Sequence, residues 1–237
     1  VSEVFTDVTE TPDILYGNNN NWDGSNQDLE LDFFEPTGDT MQARPLVLLA
    51  HGGFFVGGSR KDGDISSLCE DYAKRGFACA SMSYRLGIPF VTPDSIIFAQ
   101  AIMRAVQDAK AAVRFFKKDA AESNTYRVST DEIFMGGTSA GAFIGVHYGY
   151  LNDMNILPTW LSDEIDALGG LEGNSGNPGY DSDIRGVVSF AGAIYKASWI
   201  DDEGKPLFST HGTTDPVVPY TSGLVTYLIF PIADVDG

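Results

Sequence analysis

Positive charge is scarce in this chain: 15 Lys and Arg stand against 33 Asp and Glu, a formal net charge of −18 over 237 residues. A surface of that sign repels phosphate backbones and anionic headgroups, which argues against a nucleic-acid partner and a role on a lipid surface. Long apolar runs are missing as well. Nothing approaches the roughly 20 uninterrupted residues of a membrane span, so no integral membrane segment is expected. Val1 to Asp7 carry neither the basic nor the apolar region of a leader peptide; any export signal is expected to have been removed, and the acidity favours a secreted or periplasmic protein. Only Cys69 and Cys79 are cysteines, and no His or Cys stands at ligand spacing from them, so neither a metal nor an organic cofactor is expected. Their spacing leaves two readings open. One is a disulfide from the end of a helix to the start of the next strand, contributing roughly 2–3 kcal/mol; the other is a pair of buried thiols.

The length suits one domain over residues 1–237, able to bury about 70–75% of its unfolded surface without staples. Leu46-Val47-Leu48-Leu49-Ala50 is apolar at every position, the pattern of a strand covered on both faces in a parallel sheet. Helix and strand then alternate. A helix is expected over 65–74, a strand over 77–84, and a long helix opened by Pro93-Asp94 with Ile97, Ala101, Ala105, Ala109, Ala112, Val113 and Phe116 on one face. Further strands are expected near 131–135, 184–191 and 206–210. The alternation predicts an α/β fold with a mostly parallel central sheet flanked by helices and its site at the carboxyl ends of the strands. Two segments stand apart. Residues 11–36 read as an opening hairpin with turn material from Gly17 to Asp28. Residues 151–183 read as a cap-like insertion, whose Leu157, Trp160, Leu161, Leu168 and Leu171 either line a pocket or cover the sheet end.

Between the strand at 131–135 and an apolar helical stretch from Ala142 lies Gly136-Gly137-Thr138-Ser139-Ala140-Gly141. A serine hydroxyl at its ordinary pKa is a poor nucleophile, and it gains reach by projecting from a sharp strand-to-helix corner where a base and a carbonyl can both meet it. Gly137 and Gly141 leave room for that corner, and the helix N-terminus supplies free N–H groups beside it. Ser139 is the candidate nucleophile. His51-Gly52-Gly53-Phe54 follows the all-apolar strand, where backbone N–H groups can face a substrate oxygen. The N–H groups of Gly53, Phe54 and Ala140 are therefore the candidate oxyanion hole. His51 suits a bracing role in that loop better than the role of base. Arg104 and Asp108, one helical turn apart, read as an ion pair, structural or substrate-anchoring.

His51-Gly52-Gly53, Tyr84-Arg85-Leu86-Gly87, the helix from Arg104 to Arg114, Gly137-Thr138-Ser139-Ala140-Gly141 and His211-Gly212-Thr213-Thr214-Asp215-Pro216 occur in an order that resembles the α/β-hydrolase superfamily. More narrowly, the chain looks like a bacterial carboxylesterase or lipase of the His-Gly-Gly type over residues 45–220. The resemblance implies an α/β-hydrolase fold, Ser139 as nucleophile and Asp215 as the carboxylate that orients the base. Alone, Asp215 is an aspartate in a turn before a proline.

Two departures from the pattern stand out. Phe54 occupies the place of a third glycine in many relatives. The triad histidine should follow Asp215 in chain order, yet the three histidines are His51, His147 and His211. His147 lies about 12 Å along the helix from Ser139. The expected base is a histidine outside these residues, with the last helix and strand. The expected function is hydrolysis of a small-molecule or polymeric carboxylic ester through an acyl-enzyme. An esterase on acylated polysaccharide, a serine peptidase of the same fold, and a non-catalytic binding module lacking the base are the alternatives.

Overall fold

The structure is a computed structural model that describes residues 2–88, 94–200, 204–227 and 230–237, with no side-chain description for Tyr227 and Phe230. Pro93, read above as the opener of the long helix, lies outside the described residues. The chain runs β1 (Val8–Asn20), β2 (Asn26–Pro36), β3 (Arg44–Ala50), α1 (Gly63–Lys74), β4 (Ala78–Met82), α2 (Ser95–Glu122), β5 (Val128–Thr138), α3 (Ala140–Tyr150), α4 (Thr159–Ala167), β6 (Gly186–Phe190) and β7 (Leu207–Thr210). It continues into β8 (Gly223–Tyr227) and β9 (Phe230–Val235), which pair with each other. The first seven strands form one sheet in the order β1-β2-β4-β3-β5-β6-β7. Pairings from β4 across to β7 are parallel, and the β1–β2 hairpin joins antiparallel at one side. This is the α/β-hydrolase fold.

The apolar run at β3 is buried on both faces, as its pattern requires. Val47 and Leu49 pack with Ile65, Cys69 and Ala73 of α1, while Leu46, Leu48 and Ala50 join the larger core under α2 and α3. Each fully buried Leu or Val contributes roughly 1.5–3 kcal/mol. From β3 the chain goes out through α1 to β4, then returns through α2 past β3 to β5. The crevice between the ends of β3 and β5 is therefore the topological switch point, where open α/β sheets take their ligands. Asp94 caps α2 by accepting a hydrogen bond from the Ile97 amide at 2.8 Å.

Two local expectations are corrected and one open alternative, at the cysteines, is decided. Residues 17–28 are mostly strand: Asn18, Asn19 and Asn20 pair with Asp28, Gln27 and Asn26. Side-chain amides hold this ladder, Asn18 Nδ2 donating to Asn26 Oδ1 at 2.8 Å and Asp28 Oδ1 at 2.6 Å, so residues that favour turns elsewhere extend the hairpin. Asp108 pairs with Arg85 rather than with Arg104. Its carboxylate, fully buried, takes the Arg85 guanidinium at 2.8 Å, the Arg85 amide at 2.9 Å and the Ser175 hydroxyl at 2.6 Å. That network ties the end of β4, α2 and the 151–183 segment together. Cys69 and Cys79 are free, buried thiols, with the Cys79 thiol donating to Cys69 Sγ at 2.7 Å.

The segment after α3 divides. Helix α4 stands beside the first half of α2, held by Gln100 Nε2 donating to Glu164 at 2.6 Å. Residues 168–183 run along the middle of α2, where Gln107 donates to the Leu168 and Gly170 carbonyls and Arg114 to the Gly176 carbonyl.

Candidate active site

Strand β5 ends at Thr138 and α3 begins at Ala140, so Ser139 alone makes the corner. Its backbone sits at φ 50°, ψ −115°, a region that costs a side-chain-bearing residue on the order of 1–3 kcal/mol and persists only where neighbours over-determine it. They do so here. The Ser139 amide donates to the Phe190 carbonyl of β6 at 2.8 Å, and its carbonyl accepts from the Phe143 amide at 3.0 Å. Gly137 and Gly141 press against the end of β3: a Cβ on either would fall 2.1 Å or 1.9 Å from the Ala50 carbonyl oxygen. Ser139 itself is partly exposed. The Ala140 N–H belongs to the opening donors of α3 that have no intrahelical acceptor.

The loop after β3 lies against this corner. A Cβ on Gly52 would come within 3.5 Å of both Ser139 Cβ and Thr138 Oγ1. Gly53, Phe54 and Phe55 follow with φ of 106°, 55° and 59°, a run of left-handed backbone that turns the chain back on itself. The Gly53 carbonyl accepts from the Val56 amide at 3.0 Å and the Gly57 amide at 3.2 Å, closing the turn. His51 sits inside the loop. Its Nδ1 is 2.6 Å from the Gly52 carbonyl oxygen and its ring stacks on Tyr84, whose hydroxyl donates to the His51 carbonyl at 2.9 Å. Burial holds the His51 imidazole below its ordinary pKa, against the opposing pull of the Gly52 carbonyl.

Asp215 stands in the loop after β7, two strands from β5 in the sheet. Its Oδ1 accepts from the Val217 amide at 2.8 Å and the Val218 amide at 3.0 Å. Its Oδ2 is 3.4 Å from His211 Nε2, while that same nitrogen is 3.1 Å from the Val218 carbonyl oxygen. His147 is buried in α3 with both ring nitrogens engaged: Nδ1 lies 2.8 Å from the Phe143 carbonyl oxygen, and Nε2 accepts from the Tyr195 amide at 3.3 Å. Burial takes its pKa down to about 4.

Two features were not read from the sequence. Thr138 Oγ1 donates to Asp64 of α1 at 3.0 Å, tying the residue before the serine to a neighbouring helix. A largely apolar cavity of about 220 Å³ lies between α2, α3, α4 and β9. Leu151, Trp160 and Leu161 of the 151–183 segment line it, and α2 supplies the largest share of its wall. The spacing Phe143-His147-Leu151, four residues apart along α3 and its C-cap, is the signal that would have found it.

The model of the BD-FAE family matches residues 31–194, more than half of the chain, from β2 through the serine corner to the residues after β6. The chain belongs to the BD-FAE family. Solved structures repeat the fold of this BD-FAE chain. A truncated form of a carbohydrate esterase from gut microbiota aligns with a TM-score of 0.66 at 19% identity, covering 93% of this chain and 81% of that one. Thermogutta terrifontis esterase 2 phosphorylated by paraoxon aligns at 0.63 with 20% identity, covering 92% and 75%. The apo form of the same esterase aligns at 0.62 with 20% identity, covering 93% and 76%. No curated protein matches the sequence significantly. Among the described residues, no helix is long and apolar enough to cross a membrane.

Proposed function

We propose that this BD-FAE chain is a secreted or periplasmic serine hydrolase that cleaves carboxylic esters through an acyl-enzyme. The observation that carries the reading is the backbone of Ser139. A non-glycine residue held at φ 50°, ψ −115° between a central strand and a helix, with a glycine loop from the neighbouring strand against it, suits a nucleophile and little else. Ser139 Oγ attacks the ester carbonyl as its proton passes to an imidazole. The developing oxyanion meets the N–H groups of Gly53, Phe54 and Ala140, each worth on the order of 10²–10³ in rate. The imidazolium returns its proton to the leaving alcohol; water, deprotonated by the same imidazole, then releases the carboxylic acid and restores Ser139. Asp215 orients that imidazole. The relay is assigned to none of the three histidines described: His147 has both nitrogens engaged, His51 braces the oxyanion loop, and His211 directs Nε2 to the Val218 carbonyl at 3.1 Å.

The capture of a similarly folded esterase phosphorylated by paraoxon supports a nucleophile open to phosphorus electrophiles. An ester carried on polysaccharide is the second reading, favoured by the similarity to the carbohydrate esterase. The test is labelling of the natural full-length protein with a fluorophosphonate. Ser139→Ala abolishes labelling and ester turnover, while His211→Asn keeps both. Equal labelling of wild type and Ser139→Ala would leave a binding module as the better account, and loss of labelling in His211→Asn would make His211 the relay.

A further inference from the structure

The corner at Ser139 has a carboxylate beside it. Thr138 Oγ1 donates to Asp64 Oδ2 at 3.0 Å, and Asp64 is exposed in the first turn of α1. The Cβ that Gly52 would carry lies 3.5 Å from Thr138 Oγ1 and 3.5 Å from Ser139 Cβ, so those two atoms are at most about 7 Å apart. The Asp64 carboxylate is therefore within about 10 Å of the carbon that bears the candidate nucleophile. Gly52, Thr138 and Ser139 are partly exposed and Gly53 is exposed, so this ground is open to solvent and to a substrate.

The charged groups next to Asp64 in the chain are committed elsewhere. Arg60 pairs through Nη2 with Asp13 and, at 2.9 Å, with Glu30, and through Nε with Asp32 at 2.9 Å; Lys61 Nζ pairs with Asp13 at 2.8 Å. Asp62 accepts from the Ser59 amide at 3.1 Å and the Ser59 hydroxyl at 3.2 Å. Asp64 Oδ1, by contrast, takes no hydrogen bond among the described residues. The field of both carboxylates reaches the loop after β3, where Asp62 and Asp64 each favour the charged form of the His51 imidazole, one residue before Gly52.

Resting on the esterase reading, we propose that Asp64 is a specificity-determining residue: its free carboxylate oxygen draws esters that carry a cation a few atoms from the reacting carbonyl and repels esters that carry an anion there. A substrate charge about 7 Å from Asp64, in a half-solvated crevice of effective dielectric about 40–60, changes kcat/KM about four- to sevenfold, upward for a cation and downward for an anion. Salt at about 1 M shortens the Debye length to about 3 Å and removes most of that preference.

The experiment uses two sets of matched esters on the natural full-length protein, with fluorophosphonate labelling in parallel. In one set, p-nitrophenyl butyrate carries a terminal trimethylammonium, tert-butyl or sulfonate group; in the other, ethyl acetate carries the same three groups on the alcohol carbon chain. Each charged ester is read as its kcat/KM relative to the neutral tert-butyl ester, which cancels any loss common to all three. Asp64→Asn keeps an oxygen that can accept from Thr138 and removes only the charge. In at least one set it is expected to lower the cationic ratio and raise the anionic ratio about four- to sevenfold each, and Asp64→Lys is expected to invert the order. Asp71→Asn makes the same change of net charge near the far end of α1, and both ratios are expected to stay as in the wild type. Ratios that do not move in Asp64→Asn in either set, that move as much in Asp71→Asn, or that persist at about 1 M salt would each overturn the assignment. If Ser139 is labelled and the ratios do not move, the role of Asp64 alone falls; if Ser139 is not labelled, the esterase reading falls and takes this one with it.

Discussion

Gly141→Ala is the perturbation that most directly tests how the corner at Ser139 is held. On an isolated helix the change gains about 1 kcal/mol, because alanine loses less conformational freedom than glycine. Here the new Cβ would sit 1.9 Å from the Ala50 carbonyl oxygen, 2.5 Å from its carbon and 3.0 Å from the His51 carbonyl oxygen. An ordinary carbon–oxygen contact is about 3.3 Å, so helix and strand must part by about 1.4 Å. All three crowded atoms are backbone, two at the end of the central strand and one in the residue after it, and cannot rotate away as a side chain would. Overpacking of this kind costs about 3 kcal/mol, which leaves a net loss near 2 kcal/mol after the helix gain. In urea, with a slope of about 2 kcal/mol per molar, the midpoint falls by roughly 1 M. The shift also carries Ser139 away from the loop at Gly53 by more than 1 Å, a misplacement that slows the fluorophosphonate reaction about 10²-fold. Gly63→Ala is the control. Gly63 opens α1 with nothing within 4 Å of its added Cβ, and the change is expected to be neutral or to stabilise by about 0.5 kcal/mol. A Gly141→Ala protein with wild-type midpoint and labelling rate would refute the claim that close approach of α3 to β3 sets the corner.

The buried pair gives a second expectation: Asp108→Ala leaves the Arg85 guanidinium unpaired among buried groups and lowers stability by about 3–5 kcal/mol in urea, and a loss under about 1 kcal/mol would contradict the network. The two cysteines are free and fully buried, and burial raises the Cys69 thiol well above its ordinary pKa, so a thiol reagent should count none in the native protein and two after denaturation. A count of none after denaturation would mean that the pair is bridged. His147 sets a pH dependence. Its folded pKa near 4 lies below the unfolded value near 6.5, so the unfolded chain binds a proton that the native chain refuses in that interval. Stability therefore falls as pH drops from about 6.5 to about 4, by on the order of 1 kcal/mol per unit. His147→Gln should lose that part of the slope in urea titrations at stepped pH, and an unchanged slope would place its source elsewhere.

The parts of the fold that could be read from the sequence are those where one physical cause acts on consecutive residues. Burial on both faces leaves no polar position in Leu46 to Ala50, and the run itself declares a central strand. The hairpin was harder because its residues answer to two causes. Asn18, Asn20 and Asn26 have the local preferences of turns, yet in pairs across two strands their amides bond one another, and that long-range satisfaction outweighs the local one. Arg104 and Asp108 pose the same problem. Helical spacing makes them neighbours, but the planar Arg85 fork meets Asp108 with its side chain and its own amide together, which one-turn geometry cannot match.

At the site, legibility follows the range of the constraint. Ser139 is announced by glycines two residues to either side, since the corner is a local object. The cavity is not local: Phe98, Ile102 and Phe143 meet only because α2 crosses back over the sheet, and no spacing in the chain brings Ala233 or Val235 of β9 beside them. Asp215 shows why a single residue can support two readings at once. Its Oδ1 satisfies two amides of its own turn, the structural use that its place before Pro216 suggests. Its Oδ2 takes no part in that turn. The nearest imidazole nitrogen, at 3.4 Å, lies beyond ordinary hydrogen-bond distance and is closer to the Val218 carbonyl, so its proton has a better acceptor. A carboxylate anchored through one oxygen keeps the other for a second partner, so it can hold an imidazole without giving up its turn. That division of labour is possible for aspartate and not for asparagine, whose second atom is a donor.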